Sequence, residues 1–167
     1  TPAWLAVALG QDADALRGFS VAKVGTGQMC DSFRLTLDWA GGIDAPASVV
    51  AKCPSHDEAS RNIAKLVGTY VKEVSWYREL AANSGVPGPH CHFADIAADE
   101  VDFILILSDL APARAGDQLA GLGLSELRPC IDAAARLHAL RWDDAQLADM
   151  PWLSRDNSAL VRALFPQ

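Results

Sequence analysis

From Ser32 to Trp39 the chain alternates without a break, with Phe33, Leu35, Leu37 and Trp39 against Ser32, Arg34, Thr36 and Asp38. A period of two is that of a strand with one face buried. Phe19 to Val24 predicts a strand before it, and Ser48-Val49-Val50-Ala51-Lys52-Cys53 one after it, across the turn or loop Ala40 to Pro46. These three strands form an antiparallel meander, with the glycine-rich stretch Val24-Gly25-Thr26-Gly27-Gln28-Met29-Cys30-Asp31-Ser32 turning at one end. Upstream, Trp4, Leu5, Leu9 and Leu16 predict a short amphipathic helix over residues 4 to 17.

From Asp57 to Asn83 the period changes. Ile63, Leu66, Val67, Tyr70, Val74, Tyr77, Leu80 and Ala81 recur at helical spacings, with Gly68 as a point of interruption. At about 100° per residue from Tyr70, Glu73 falls roughly 60° from the stripe centre and Glu79 roughly 180° away. Glu73 is therefore expected to face the sheet and Glu79 to face water. Gly85-Val86-Pro87-Gly88-Pro89 is a compact turn, Phe93 to Ile96 a short strand, and Val101 to Leu107 a buried strand that ends at the linker Ser108-Asp109-Leu110-Ala111-Pro112. Helical patterns follow from about Ser125, a candidate N-cap, and from Asn157 to Phe165.

The 167 residues suffice for one domain with a core, or for a small domain and part of another. Half of them are hydrophobic, and no apolar run approaches the roughly 18 residues of a membrane span, so no membrane partner is expected. The start, Thr1-Pro2-Ala3-Trp4-Leu5, lacks the basic flank and apolar core of a signal peptide, which leads to the expectation of a cytoplasmic protein. A net charge of −7 disfavours nucleic acid as partner, because that attraction needs clustered Lys and Arg. Cys30, Cys53, Cys91 and Cys130 have no C-x-x-C spacing and read as reduced thiols. His90 and His92 share a strand face but lack a further ligand at metal-binding spacing, so no metal site is assigned there.

The candidate chemistry lies in an order: glycine turn, lysine on a strand, glutamate on a helix. Gly25 and Gly27 can take positive φ and bring bare N–H groups close to phosphate oxygens. Lys52 can hold a charge against those phosphates, and Glu73 can hold Lys52. That order is used by the phosphate-handling half of a kinase-like ATP site. Each part also has a plainer reading: a hairpin turn, a strand-end lysine reaching solvent, and a helix-surface carboxylate paired with Lys72 or Arg78. An unrelated α+β domain with an ordinary ion pair would show the same residues.

Gly25-Thr26-Gly27, Val50-Ala51-Lys52, the run from Lys72 to Leu80, and Leu105-Ile106-Leu107-Ser108-Asp109-Leu110 together resemble the aminoglycoside phosphotransferase and choline-kinase-like superfamily. The branch that includes the ecdysteroid-kinase-like proteins looks closest, through Ala113-Arg114-Ala115-Gly116-Asp117-Gln118 and Leu137-His138-Ala139-Leu140-Arg141-Trp142. The resemblance implies an α+β fold: a protein-kinase-like N-lobe of five antiparallel strands plus helix over 1–107, a linker over 108–118, and the first helices of a mostly helical C-lobe over 119–167. It implies that Gly25, Thr26, Gly27, Asp31 and Ser32 cover the phosphates of ATP, that Lys52 contacts them, and that Glu73 holds Lys52. Leu107 would back the adenine pocket, with main-chain groups of Ser108 and Leu110 bonding the base. His138, among Leu137, Ala139 and Leu140, reads as a packed or capping histidine rather than a base.

The resemblance fails at the chemistry. The superfamily's H-G-D-x-x-x-x-N loop and second metal-binding aspartate, which serve transfer and Mg²⁺, are not found; Ser154-Arg155-Asp156-Asn157 has the wrong spacing. The expected function is thus the nucleotide-binding part of a phosphotransferase acting on a small-molecule hydroxyl, with the catalytic aspartate and Mg²⁺ ligands beyond residue 167. The alternative is a non-catalytic nucleotide- or partner-binding module. Either way an apolar surface where a larger lobe would pack, including Leu160, Val161, Leu164 and Phe165, is expected to drive self-association.

Overall fold

A computed structural model describes residues 1–153 except Thr26, Ala115 and Gln118. The motif at 154–157, the helix expected from Asn157 to Phe165, and Leu160, Val161, Leu164 and Phe165 all lie outside the described residues. Over the described residues the fold is α+β, with four α-helices and one five-stranded antiparallel sheet. Strands β1 (Leu16–Val24), β2 (Cys30–Trp39) and β3 (Ser48–Pro54) form the expected meander. Strand β5 (Phe103–Ser108) pairs with β3, and β4 (Cys91–Ile96) takes the edge, giving the order β1-β2-β3-β5-β4.

The first helix is shorter than its apolar spacing predicts. Helix α1 spans Pro2–Ala8, with Thr1 accepting from Trp4 N–H as N-cap, and Gly10 at φ +76° ends the run. Leu16 belongs to β1 and not to the helix, since the turn around Asp12 reverses the chain before it. The second helical stretch breaks where glycine permits a left-handed residue. Helix α2 (Glu58–Val67) is capped by Asp57 and stops at Gly68, φ +70°, from which α3 (Thr69–Ser75) leaves in a new direction. A π-helical turn, Trp76–Leu80, follows, with Ala81 N–H bonded to Trp76 C=O. Helix α4 (Leu124–Leu140) begins one residue before Ser125; Gly123 is its N-cap, and Glu126 Oε2 accepts from Gly123 N–H.

The sheet separates two apolar clusters. Leu5 and Ala6 of α1 cover Leu35, Leu37, Val49, Ala51 and Ile106 on one face. Ala64, Tyr70 and Val74 cover Phe103, Leu105 and Leu107 on the other. Such double cover needs the near-continuous apolar run of β5, because both of its faces are buried. Apart from Trp152, every buried residue among those described lies between Leu5 and Leu107. Helix α4 buries none of its residues; Leu124, Leu127, Ile131 and Leu140 are exposed, as is Trp142 beyond it. His138, expected to pack or cap, is exposed in its last turn. Among the described residues no helix is long and apolar enough to cross a membrane.

Candidate functional site

Opposed residues in an antiparallel pair point to the same face, so the register assigns each side chain a side. Lys52 lies opposite Ser32 and Leu105, and Val50 opposite Arg34 and Leu107, which puts all of them on the α3 face. Helix α3 packs on that face over β4 and β5 and reaches Lys52 of β3 through Glu73. Over β1 and β2 it is open: Ala22 is exposed, and Val24, Ser32 and Arg34 are half-buried. The candidate site is this uncovered half-face, with the glycine turn at one end and the linker after β5 at the other.

Lys52 stands at its inner wall. Its Nζ donates to Glu73 Oε1 at 2.5 Å, joining central strand to helix. The local partners that Glu73 could have taken are engaged elsewhere: Lys72 Nζ donates to Val67 C=O, and Arg78 to Ala94 C=O and Asp95. A stripe-edge position on α3 thus does bring Glu73 to the sheet.

Glu79, expected to face water, is exposed, and it also accepts a hydrogen bond from Trp152 Nε1 at 2.9 Å.

In the glycine turn the two glycines differ. Gly25 has φ +74°, where a Cβ would be strained whatever the room around it. Gly27 has no positive φ, contrary to expectation; its requirement is space, since a Cβ would meet Cys30 C=O at 3.0 Å. Thr26 lies outside the described residues.

The turn's far end is tied to α3 through Tyr70, whose fully buried hydroxyl donates to Met29 C=O at 2.5 Å while its ring packs on Phe103. Sequence reasoning saw Tyr70 only as part of an apolar stripe. Because Tyr70 and Glu73 share one short helix, the turn and Lys52 are positioned by the same element.

Two further side chains depart from their expected or assigned roles. Asp31 opposes Cys53, on the sheet face away from Lys52. It is buried, and Lys23 (2.6 Å) and His56 (3.0 Å) hold its carboxyl far below the usual range. Structurally it buttresses the start of β2 and is not brought to Lys52. Asp109, which no role had been given, accepts from Arg34 Nε at 2.6 Å, Arg34 Nη2 at 3.1 Å and Ser48 Oγ at 2.7 Å. Those bonds draw its carboxyl down to about 2. A lone acid at the abrupt end of an apolar strand, with a single arginine on the polar register of β2, was the available signal.

Leu107 is buried on the α3 face opposite Val50, as a residue backing the site would be. Ser108 N–H is taken by His90 C=O at 2.8 Å, and Ser108 Oγ meets His92 Nε2 at 3.0 Å. Leu110 is exposed, and its C=O accepts from Ala113 N–H. The expected His90 and His92 pair make edge-to-face ring contact at 4.7 Å, and among the described residues no group of three or more His, Cys, Asp or Glu could hold a metal.

All four cysteines are free; burial above all pushes the Cys30 thiol, beside Lys52 and Glu73, up to about 11, so it is protonated at neutral pH. A cavity of about 490 Å³ lies away from Lys52, between the π-helical turn and the Val86 to Cys91 segment, and its lining offers no Lys or Arg to an anion.

What the half-face can do follows from its gradient. The backbone N–H groups of the glycine turn, the Lys52 ammonium and Val24 lie at one end, apolar Val50 and Leu107 in the middle, and a main-chain edge at the other. That suits a ligand with an anionic tail and a flat, apolar head. Neither the protein-family models nor the curated proteins contain a match to this chain.

Proposed function

We propose that this chain is the nucleotide-binding part of an ATP-dependent phosphotransferase of the aminoglycoside phosphotransferase and choline-kinase-like type, with a protein-kinase-like N-lobe, acting on a small-molecule hydroxyl in the cytoplasm. The observation that carries the proposal is the Lys52–Glu73 pair, 2.5 Å long, joining the central strand to the helix that also anchors the glycine turn. A lysine so held presents a fixed positive charge to phosphates, as ATP sites of this kind require. The residues fit ATP in kind: N–H groups and Lys52 for phosphates, Val24, Val50 and Leu107 for the base. Mg²⁺, which would neutralise charge on the phosphates, has no ligand cluster among the described residues, and no His-Gly-Asp triplet occurs in the sequence. The role assigned to these residues is therefore to hold nucleotide, not to transfer phosphoryl.

A second reading, a non-catalytic partner-binding module, is favoured by one observation. Helix α4 leaves Leu124, Leu127, Ile131 and Leu140 exposed, and contiguous exposed apolar surface is what a partner covers.

Calorimetric titration with Mg-ATP tests the first reading. Lys52→Ala is expected to abolish measurable binding, whereas Lys65→Ala, the same charge change on exposed α2, leaves it intact. Equal affinity of the two variants would refute the site.

A further inference from the structure

The linker after β5 is held more tightly than a connecting segment needs. Asp109 is reached from two strands at once: Arg34 of β2, 75 residues away in sequence, grips it bidentately, and Ser48 of β3 donates to the same Oδ2. Asp109 Oδ1 also accepts from Ala111 N–H at 3.0 Å, folding the linker around its own carboxylate. From the other side, Ser108 N–H donates to His90 C=O, and Ser108 Oγ and His92 Nε2 share a hydrogen bond. The Asp109 side chain is only 6% exposed while Arg34 is 39% exposed, so these charge-assisted bonds are partly shielded from water and salt. Between the two sets of anchors, no hydrogen-bond acceptor for Leu110 N–H is found among the described residues, and the residue is exposed at the edge of the open half-face.

The geometry points to Arg34, Ser48 and Asp109 as a clamp that presets the Ser108–Leu110 main chain for a flat hydrogen-bonding head group. They are positioning residues that favour a nucleotide over a bare polyphosphate. This rests on the nucleotide reading above. Ser48 stands at the opposite end of the half-face from Lys52, four residues or about 13 Å along β3, while Arg34 reaches Asp109 from the row of Val50 between them. Phosphate contacts and base contacts therefore depend on different groups. A segment already ordered loses little freedom when it meets its ligand, which is how the clamp adds to affinity.

The separation makes the clamp testable apart from the site. The chain is titrated with Mg-ATP and, separately, with Mg-tripolyphosphate, followed by ¹⁵N–¹H NMR, which reads millimolar affinities and the Leu110 amide directly. In the unaltered protein ATP binds more tightly than tripolyphosphate, and only ATP shifts the Leu110 resonance. Asp109→Asn weakens ATP about tenfold and leaves tripolyphosphate unchanged; Ser48→Ala does the same by a few-fold.

Loss of both ligands in parallel, or of neither, overturns the clamp, as does an unaltered protein that binds ATP no better than tripolyphosphate. If Asp109→Asn loses the dispersed spectrum of a folded chain, Ser48→Ala decides by the same comparison. A protein that binds neither probe refutes the nucleotide reading itself, and the clamp with it.

Discussion

Breaking the Lys52–Glu73 pair is expected to cost more than breaking a surface ion pair and less than breaking a fully buried one. The side chains are 26% and 23% exposed, so about three quarters of each is covered. Exposed pairs contribute about 0–1 kcal/mol, and removing one partner of a buried pair costs about 3–5 kcal/mol. Lys52→Met or Glu73→Gln alone should thus lower stability by about 2 kcal/mol, much of it from the charge left behind. With both replaced, no uncompensated charge remains and the loss falls to about 1 kcal/mol. The cycle then gives a coupling of about 3 kcal/mol. Urea unfolding followed by circular dichroism reads this as a midpoint shift of about 1 M for each single variant, for a slope near 2 kcal/mol per M. Because the pair is partly shielded, most of the coupling should survive in 0.5 M salt, at a screening length of about 4 Å. Single-variant losses that simply add within about 0.5 kcal/mol would refute the pairing and remove the main support for an ATP site.

Tyr70→Phe keeps the ring on Phe103 and deletes only the bond to Met29 C=O, which still accepts from Ser55 N–H. It should cost about 1 kcal/mol and speed amide hydrogen exchange in the glycine turn, with unchanged exchange there as the contrary result. Asp109 titrates in the folded protein at about 2, below its ordinary 3.8, so its contribution is complete above the unfolded value and is lost as pH falls through the folded one. Asp31, also depressed, acts in the same direction. The urea midpoint should fall from pH 4 to pH 2, and Asp109→Asn should flatten that fall; parallel curves would deny Asp109 its share.

Several elements were legible from local pattern. The alternation from Phe33 to Trp39, the apolar run into Leu107 and the helical stripe through Tyr70 and Val74 each predict the element found, because side-chain period is a local consequence of backbone geometry. The pairing of Lys52 with Glu73 is legible too, since the stripe-edge position of Glu73 turns it toward the sheet. Pattern failed where backbone irregularity or distant pairing decided. Leu16 fits a helical spacing with Leu9, but Gly10 and the turn at Asp12 intervene, and one reversal moves it from helix to strand.

The sequence by itself determined where the periodic elements lie and which charged residues interrupt them, because period and charge are properties of neighbouring residues. Only the tertiary structure decided sides and partners. Strand order placed β5 between β3 and β4, and register then sent Asp31 to one face and Lys52 to the other, since adjacent strand residues necessarily diverge. The same register brought Arg34 and Ser48 to Asp109 across 75 and 61 residues of chain. No local period encodes a contact of that separation; the carboxylate finds its arginine only once three strands have been laid side by side.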